Sequence, residues 1–216
     1  PEDTAIIYFA GHGMAKENQF YLIPHDLGYA GESARIDADG LRRLLRHGVS
    51  DRELEESLEG LDAAQVLLVI DACNSGQALE AVEKRRGPMN SKGLAQLAYE
   101  KGMYILTAAQ SFQAAQEVSQ LGHGLLTYAL VAEGLKGAAD AEPKDGQVLL
   151  REWLDYATAR VPEMQFDKMK MADASGRDLS FVEGERGLPL ARRSGQRPRV
   201  FYRREPESTP LLIARP

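Results

Sequence analysis

The sequence predicts an α/β fold built around a mainly parallel sheet. Its short apolar runs alternate with stretches of helical periodicity, which is typical of strands connected by helices. The run VLLVI at residues 66–70 is apolar at every position, as a strand covered on both faces must be. The chain has 216 residues, which suits one domain, and we assign that domain to residues 1–204 with a C-terminal tail at 205–216.

The remaining elements follow from the same periodicities. Four further strands are predicted, at residues 4–10, 20–23, 103–107 and 199–202. Four helices are predicted, at residues 37–47, 50–59, 125–135 and 149–161. Ser50 and Glu53 have the spacing of a capping box at the start of the second helix, and Pro162 is expected to stop the fourth.

Composition and charge exclude several classes of protein. No apolar run approaches the roughly 20 residues that cross a bilayer, so no membrane partner is expected. The net charge of −6 argues against general nucleic-acid binding, which needs a basic surface. The single cysteine cannot form an internal disulfide, and it fits a reducing, cytoplasmic location.

Two of the predicted strands lead into residues that can carry chemistry. Gly11-His12-Gly13 follows the first strand, and Asp71-Ala72-Cys73 follows the strand at residues 66–70. Sites in open α/β sheets lie beyond the carboxyl ends of the strands, so His12 and Cys73 would meet if the two strands are parallel neighbours. An imidazole beside a thiol can take its proton. The flanking glycines would let the backbone turn sharply and leave amides free for an oxyanion.

Each member of this pair also has a simpler interpretation. A lone cysteine after an apolar strand is more often a buried small hydrophobe, and a Gly-His-Gly segment is more often only a turn. Their joint placement, with the one cysteine of the chain, favours a catalytic pair over two unrelated residues.

The residues around the pair resemble the motifs of a known family. The segments YFAGHG at residues 8–13 and VIDACNSG at residues 69–76 resemble the His and Cys motifs of the caspase and metacaspase family, in its bacterial branch. Further segments agree in order, namely YLIPHD at 21–26, TAAQ at 107–110 and GLLTYAL at 124–130. The resemblance implies a caspase-like three-layer sandwich, and we expect the N-terminal strand-helix-strand of that fold to be missing from this chain.

The resemblance also implies a cysteine-type endopeptidase with a Cys-His dyad. Cys73 would be the nucleophile and His12 the general base, while the amides of Gly13 and Cys73 would form the oxyanion hole. Asp71 stands where animal caspases carry Gln, which points to the metacaspase-like side of the family. On that side Asp71 and, as our candidate, Glu117 would form a pocket for an Arg or Lys side chain of a protein or peptide substrate.

Several alternatives stay open. Asp71 could instead cap local amides, and Glu117 could be a solvated helix residue. The chain could be a non-catalytic interaction or signalling module that keeps the caspase-like sheet, although both motif residues are intact. A third alternative is that the chain belongs to a related group of cysteine proteases with similar turns, which the sequence of residues 71–76 disfavours.

No metal or other cofactor is expected. His25, His47 and His123 lack Cys or carboxylate neighbours at ligand spacing, and the acidic residues at 140–146 lack the order of an EF-hand. The Lys- and Arg-rich segment at residues 84–93 lies where caspase-like enzymes usually cut themselves, so an Arg/Lys-specific enzyme could cleave its own chain there. The alternative is an ordinary exposed loop, of the kind that any protease can cut.

Overall fold

The computed structural model describes residues 3–16, 19–26, 38–74, 96, 98–108, 117–118, 123–174, 197–202 and 210–216. These residues fall into two units. The first unit comprises the described parts of Pro1–Ile105 and Phe201–Arg203, and the second comprises those of Leu106–Val200 and Arg204–Pro216.

The described residues form both strands and helices. The strands are β1 (Thr4–Lys16), β2 (Gln19–Ile23), β3 (Val49–Ser50), β4 (Gln65–Asn74), β5 (Tyr104–Thr107), β6 (Glu117–Val118), β7 (His123–Gly124), β8 (Val148–Leu149), β9 (Arg199–Phe201) and β10 (Leu212–Ala214). The helices are α1 (Ala38–His47), α2 (Asp51–Glu59), α3 (Leu125–Thr127) and α4 (Leu150–Ala174). Six of the strands form a central sheet in the order β3-β2-β1-β4-β5-β9. This mixed α/β architecture confirms the predicted fold class.

β1 is longer than the sequence predicts. It pairs in parallel with the whole of β4 through its first ten residues, and in antiparallel fashion with the whole of β2 through its last five. The expected end at Ala10 and the expected sharp turn at Gly11 and Gly13 are therefore wrong, because β1 continues to Lys16. Backbone pairing with two neighbours outweighs the intrinsic cost of a glycine in a strand, which is about 0.5–1 kcal/mol. β4 likewise continues beyond the predicted strand end, to Asn74.

One face of β1 packs on the core of the first unit. Ile7 and Phe9 lie against a cluster of buried residues from β2, α2, β4, β5 and the segment before β5. The cluster consists of Leu22, Leu58, Leu68, Ile70, Ala72, Ala98, Met103 and Ile105. Ile6 and Tyr8, at the alternate positions of β1, are 55% and 41% exposed. Since side chains alternate across a strand, β1 has one packed face and one exposed face.

The capping box at the start of α2 is present as predicted. The Ser50 hydroxyl oxygen accepts a hydrogen bond from the Glu53 amide at 3.2 Å, and the Ser50 amide donates to Glu53 Oε2 at 2.9 Å. These contacts satisfy two backbone donors that a helix start would leave without partners. The Ser50 amide, and then the Ser50 hydroxyl, lower the pKa of Glu53 below its usual 4.5. The ionised Glu53 carboxylate therefore stabilises the fold above pH 4.5. This stabilisation is lost as the pH falls through the lowered pKa of Glu53 and the carboxylate becomes protonated.

Replacing Ser50 with alanine removes the hydroxyl of the capping box. We expect Ser50→Ala to lower the free energy of unfolding by about 1 kcal/mol, the usual cost of losing such a cap. Urea unfolding of the two proteins at neutral pH measures the difference. Ser57→Ala is the matched control, because the Ser57 hydroxyl donates only to the Glu53 carbonyl at an exposed position. An unchanged midpoint for Ser50→Ala would contradict a stabilising cap.

The second unit contains an irregular helical segment where a continuous helix is predicted. α3 is followed by a π-helical turn at Tyr128–Glu133 and then by a 3-10 turn at Gly134–Lys136. The segment packs against α4, and buried residues of this unit include Leu125, Leu126, Ala129, Leu130, Val148, Leu150, Leu154, Ala157 and Val161. The predicted helix over residues 125–135 is thus present as three short turns of different geometry.

α4 passes through the proline that was expected to end it. Pro162 lies inside the helix, which continues to Ala174. Proline inside a helix costs about 3 kcal/mol because one backbone hydrogen bond is lost. Val161, Met164 and Gln165 are buried next to Pro162, so packing on both sides of it compensates for that loss. None of the helices in the described residues is long and apolar enough to span a membrane.

The C-terminal residues form a strand of the second unit. β10 pairs in antiparallel fashion with β8, and the Leu150 amide donates to the Leu211 carbonyl at 2.8 Å. These residues lie within the segment that the sequence assigns to a tail at 205–216. The boundary of the peptidase domain at residue 204 stays a prediction.

Candidate active site

His12 lies on the exposed side of β1. It is paired with Ile23 on β2 and with Cys73 on β4, so its backbone is held from both sides. Its side chain is exposed, as are those of the alternate positions before it on the strand. The imidazole is therefore accessible to a peptide that approaches this part of the sheet.

Cys73 is the register partner of His12. Its backbone belongs to β4, and the two residues face each other across the parallel ladder between β1 and β4. Neighbouring strands lie about 4.7–4.9 Å apart, so the two positions are as close as residues on adjacent strands can be. The structure thus brings together the two residues that the sequence selects as a catalytic pair. Their catalytic roles stay predictions.

Gly13, the predicted oxyanion-hole residue, is buried within β1. Its register partners are Leu22 on β2 and Asn74 on β4. Gly13 therefore pairs with the residue that directly follows Cys73, so it lies next to the predicted nucleophile. The roles of the Gly13 and Cys73 amides in holding an oxyanion stay predictions.

Asp71 is one of the few buried charged residues that the structure describes. It lies on β4 two positions before Cys73, faces Ala10 of β1 in the register, and is only 7% exposed. A carboxylate is stable in such surroundings only when it is hydrogen-bonded or paired, and Asp71 does make such an interaction. The role of Asp71 in binding a substrate cation stays a prediction.

Glu117 lies in the second unit and not in a helix. Its backbone forms β6, which pairs with β7 so that Glu117 faces Gly124 and Val118 faces His123. The helix that this alternative assumed is therefore wrong, because Glu117 lies in a strand. The meeting of Glu117 and Asp71 in one pocket stays a prediction.

Several residues that the sequence singles out lie outside the described part of the chain. These are Ser75 and Gly76 of the Cys motif, the segment at 84–93 and the second half of TAAQ at 107–110. His25 and His47 are exposed in the described residues. No group of three or more His, Cys, Asp or Glu side chains able to hold a metal ion occurs within the residues that the structure describes.

A polar cluster of the second unit was missed by the sequence analysis. Glu133 from the π-helical turn accepts hydrogen bonds from Tyr156 and Arg160 of α4. Tyr156 and Arg160 are four residues apart and so share a helix face, which is the only sequence signal that could have suggested them. Their partner is more than 20 residues away in the chain, so only the fold reveals it.

Comparison with protein families agrees with this geometry. The family described as Caspase domain matches residues 1–176, a span that includes both His12 and Cys73. The chain therefore belongs to the caspase domain family, whose members are cysteine peptidases that act on proteins. No curated relative matches the chain. The match confirms the resemblance to the caspase and metacaspase family, while the assignment to its bacterial branch stays a prediction.

Proposed function

We propose that this protein is a cysteine endopeptidase that cleaves peptide bonds after Arg or Lys with a dyad of Cys73 and His12. The observation that carries the proposal is the register of β1 and β4, which pairs His12 with Cys73. A cysteine nucleophile needs a base within reach of its thiol, and an accessible His12 is suited to that role. Membership of the caspase domain family supports the same reaction class.

In the proposed reaction, His12 takes the proton of the Cys73 thiol, and the thiolate sulfur forms a bond with the carbonyl carbon of the substrate. The electron pair of the carbonyl moves onto its oxygen, where the amides of Gly13 and Cys73 would hold it. The intermediate then expels the amine, which takes the proton from His12 and leaves a thioester. Water attacks the thioester with His12 as base, which releases the carboxylic acid and restores the thiol.

The preference for a cationic side chain rests on Asp71. It is a buried carboxylate two residues from the nucleophile, and a substrate cation would offset part of the cost of burying that charge. Glu117 would supply the second carboxylate of the pocket. A substrate carboxylate would be repelled there, which assigns the chain to the metacaspase-like side of the family and not to the Asp-specific side. We place the enzyme in the cytoplasm because its one cysteine must stay reduced.

Peptides that differ only in the residue before the cleaved bond test the proposed specificity. We expect hydrolysis after Arg and Lys to be faster than hydrolysis after Gln, with no cleavage after Asp. Asp71→Asn should lower the ratio of kcat/KM for Arg over Gln by about 10- to 100-fold, which corresponds to the loss of about 1.4–2.7 kcal/mol. Asp62→Asn is the control, because Asp62 is an exposed carboxylate of the same unit.

The outcomes separate the alternatives. Preferential cleavage after Asp would overturn the acidic pocket while leaving the peptidase in place. A folded protein that hydrolyses none of the peptides would overturn the peptidase and favour the non-catalytic interaction module. The exposed apolar residues Ile6 and Tyr8 on β1 are the feature that such a module could use to bind a partner.

A further inference from the structure

The hairpin formed by β1 and β2 continues beyond His12. Met14 lies two residues further along β1, and its register partner on β2 is Tyr21. Side chains alternate along a strand, and directly opposed residues of an antiparallel pair share a face, so Met14 and Tyr21 lie on the same face of the sheet as His12. A strand rises by about 3.2–3.4 Å per residue, which puts position 14 about 6–7 Å from His12.

Met14 and Tyr21 form an apolar surface that is partly buried and partly open to solvent. A Cβ atom at Gly48 would lie 3.4 Å from Tyr21 Cβ and 3.3 Å from Ile23 Cδ1, so the backbone that follows α1 packs directly against β2 on this face. The Tyr21 hydroxyl donates to Gln19 Oε1 at 2.7 Å, which holds the other end of the ring. The tyrosine is therefore fixed at both ends, and its ring remains partly accessible beside Met14.

β2 lies on the side of His12 that faces away from Cys73. In the sheet, β1 has β4 as its neighbour on one side and β2 on the other. His12 is paired with Cys73 across the first of these boundaries and with Ile23 across the second. A line from the backbone of Cys73 through His12 therefore leads onto β2.

The proposed reaction decides which part of the substrate lies over β2. Cys73 forms its bond with the carbonyl carbon, whereas the nitrogen of the leaving amine must reach His12 to take its proton. That nitrogen belongs to the residue that follows the cleaved bond. An extended chain advances by about 3.3–3.6 Å per residue, so the side chain of this residue comes within reach of Met14 and Tyr21.

We propose that Met14 and Tyr21 form the subsite for the residue that follows the cleaved bond, and that this subsite favours an apolar side chain such as leucine. The inference rests on the proposed cysteine peptidase reaction, but not on the identity of the residue before the bond. A thioether and an aromatic ring gain from contact with an apolar group. A substrate carboxylate would instead lose part of its hydration against these two side chains.

The subsite acts on only one of the two chemical steps. The leaving amine departs when the thioester forms, so the later hydrolysis of the thioester no longer involves the residue that followed the bond. Contacts with Met14 and Tyr21 therefore change kcat/KM through the formation of the thioester. A peptide methyl ester gives the same thioester, but its leaving group is methanol, which is too small to occupy the subsite.

Peptides that differ only in the residue after the cleaved bond test the proposal. They carry Leu, Gly or Glu at that position and, before the bond, the residue that the wild type cleaves fastest. We expect kcat/KM with Leu to exceed kcat/KM with Gly or Glu by about 5- to 20-fold. Met14→Ala and Tyr21→Ala should each lower the ratio of Leu over Gly by about 3- to 10-fold. Both should keep kcat/KM for the matching methyl ester within about 2-fold of the wild type.

Three further variants separate contact with the substrate from general destabilisation. Ile6→Ala is the matched control, because Ile6 is an exposed apolar residue on the same face of β1 but about 20 Å before His12. Tyr21→Phe keeps the ring and removes the hydroxyl that donates to Gln19, so the preference for Leu should remain. Met14→Lys places a cation at the subsite and should raise kcat/KM for the Glu peptide over the Leu peptide by about 10-fold. This gain tests the subsite even if Tyr21→Ala does not fold.

Several outcomes overturn the proposal. A wild type that cleaves the three peptides equally fast would exclude the subsite while leaving the peptidase in place. An equal loss for the peptides and the methyl ester in Met14→Ala and Tyr21→Ala would show that the pair supports the hairpin without contacting the leaving group. A folded Met14→Lys with no gain for the Glu peptide would exclude contact at position 14. A wild type that hydrolyses neither the peptides nor the ester overturns the proposed function and this inference together.

Discussion

Replacing Cys73 with alanine is expected to lower kcat/KM for an Arg peptide by at least about 10⁴-fold, because no other group on the chain can replace the sulfur in the covalent step. His12→Ala should lower it by about 10²- to 10⁴-fold, which is the usual contribution of a positioned general base. Hydrolysis of a reporter peptide by the purified proteins measures both effects. Of all single substitutions considered, these two should have the largest effect on activity.

Alkylation of the thiol tests the same dyad without a substrate. Because the thiolate is the reactive species, His12→Ala should slow the alkylation of Cys73 at neutral pH. His47→Ala is the matched control, because His47 is an exposed histidine at the end of α1. This substitution should leave both the rate of peptide hydrolysis and the rate of Cys73 alkylation unchanged. Equal alkylation rates in the wild type and in His12→Ala would contradict a dyad, even if both proteins were folded.

Leu68→Ala is expected to have the largest effect on stability. Leu68 lies on β4, is fully buried and belongs to the cluster that forms the core of the first unit. Truncating a buried leucine removes apolar contacts and leaves a cavity, so we expect a loss of about 2–5 kcal/mol in the free energy of unfolding. The midpoint of urea unfolding, followed by a probe of the first unit, measures that loss.

An exposed leucine of the same unit provides the comparison for Leu68. Leu61 is 42% exposed, so Leu61→Ala should change the free energy of unfolding by no more than about 0.5 kcal/mol. A loss below about 1 kcal/mol for Leu68→Ala would mean that the site collapses around the smaller side chain. Such a result would contradict the close packing of the sheet that carries both Cys73 and His12.

The central strands and the pairing of His12 with Cys73 could be predicted because the signals for them are local. The run at residues 66–70 is apolar at every position, and it is the middle of β4. The spacing of Ser50 and Glu53 gave the capping box, whose two hydrogen bonds both lie within four residues of chain. His12 and Cys73 each follow an apolar run, but predicting that they meet required the further assumption that the two strands are parallel neighbours. The register of β1 and β4 confirms that assumption.

The elements that could not be predicted depend on contacts between distant parts of the chain. β1 continues through Gly11 and Gly13 because β2 and β4 pair with it on both sides. α4 continues through Pro162 because its neighbours are buried on both sides of the proline. In each case the local propensity predicted an interruption, and tertiary packing outweighed it.

The sequence by itself determined the fold class, the core strands, the capping box and the family, and it selected His12 and Cys73, whose catalytic roles stay predictions. Only the tertiary structure decided that β10 joins β8, that a π-helical turn follows α3, and that Glu133 meets Tyr156 and Arg160. The physical reason is the range of the interactions. Periodicity and caps act within one or two turns of chain, whereas the Glu133 cluster joins side chains 23 and 27 residues apart, whose meeting depends on how α4 packs.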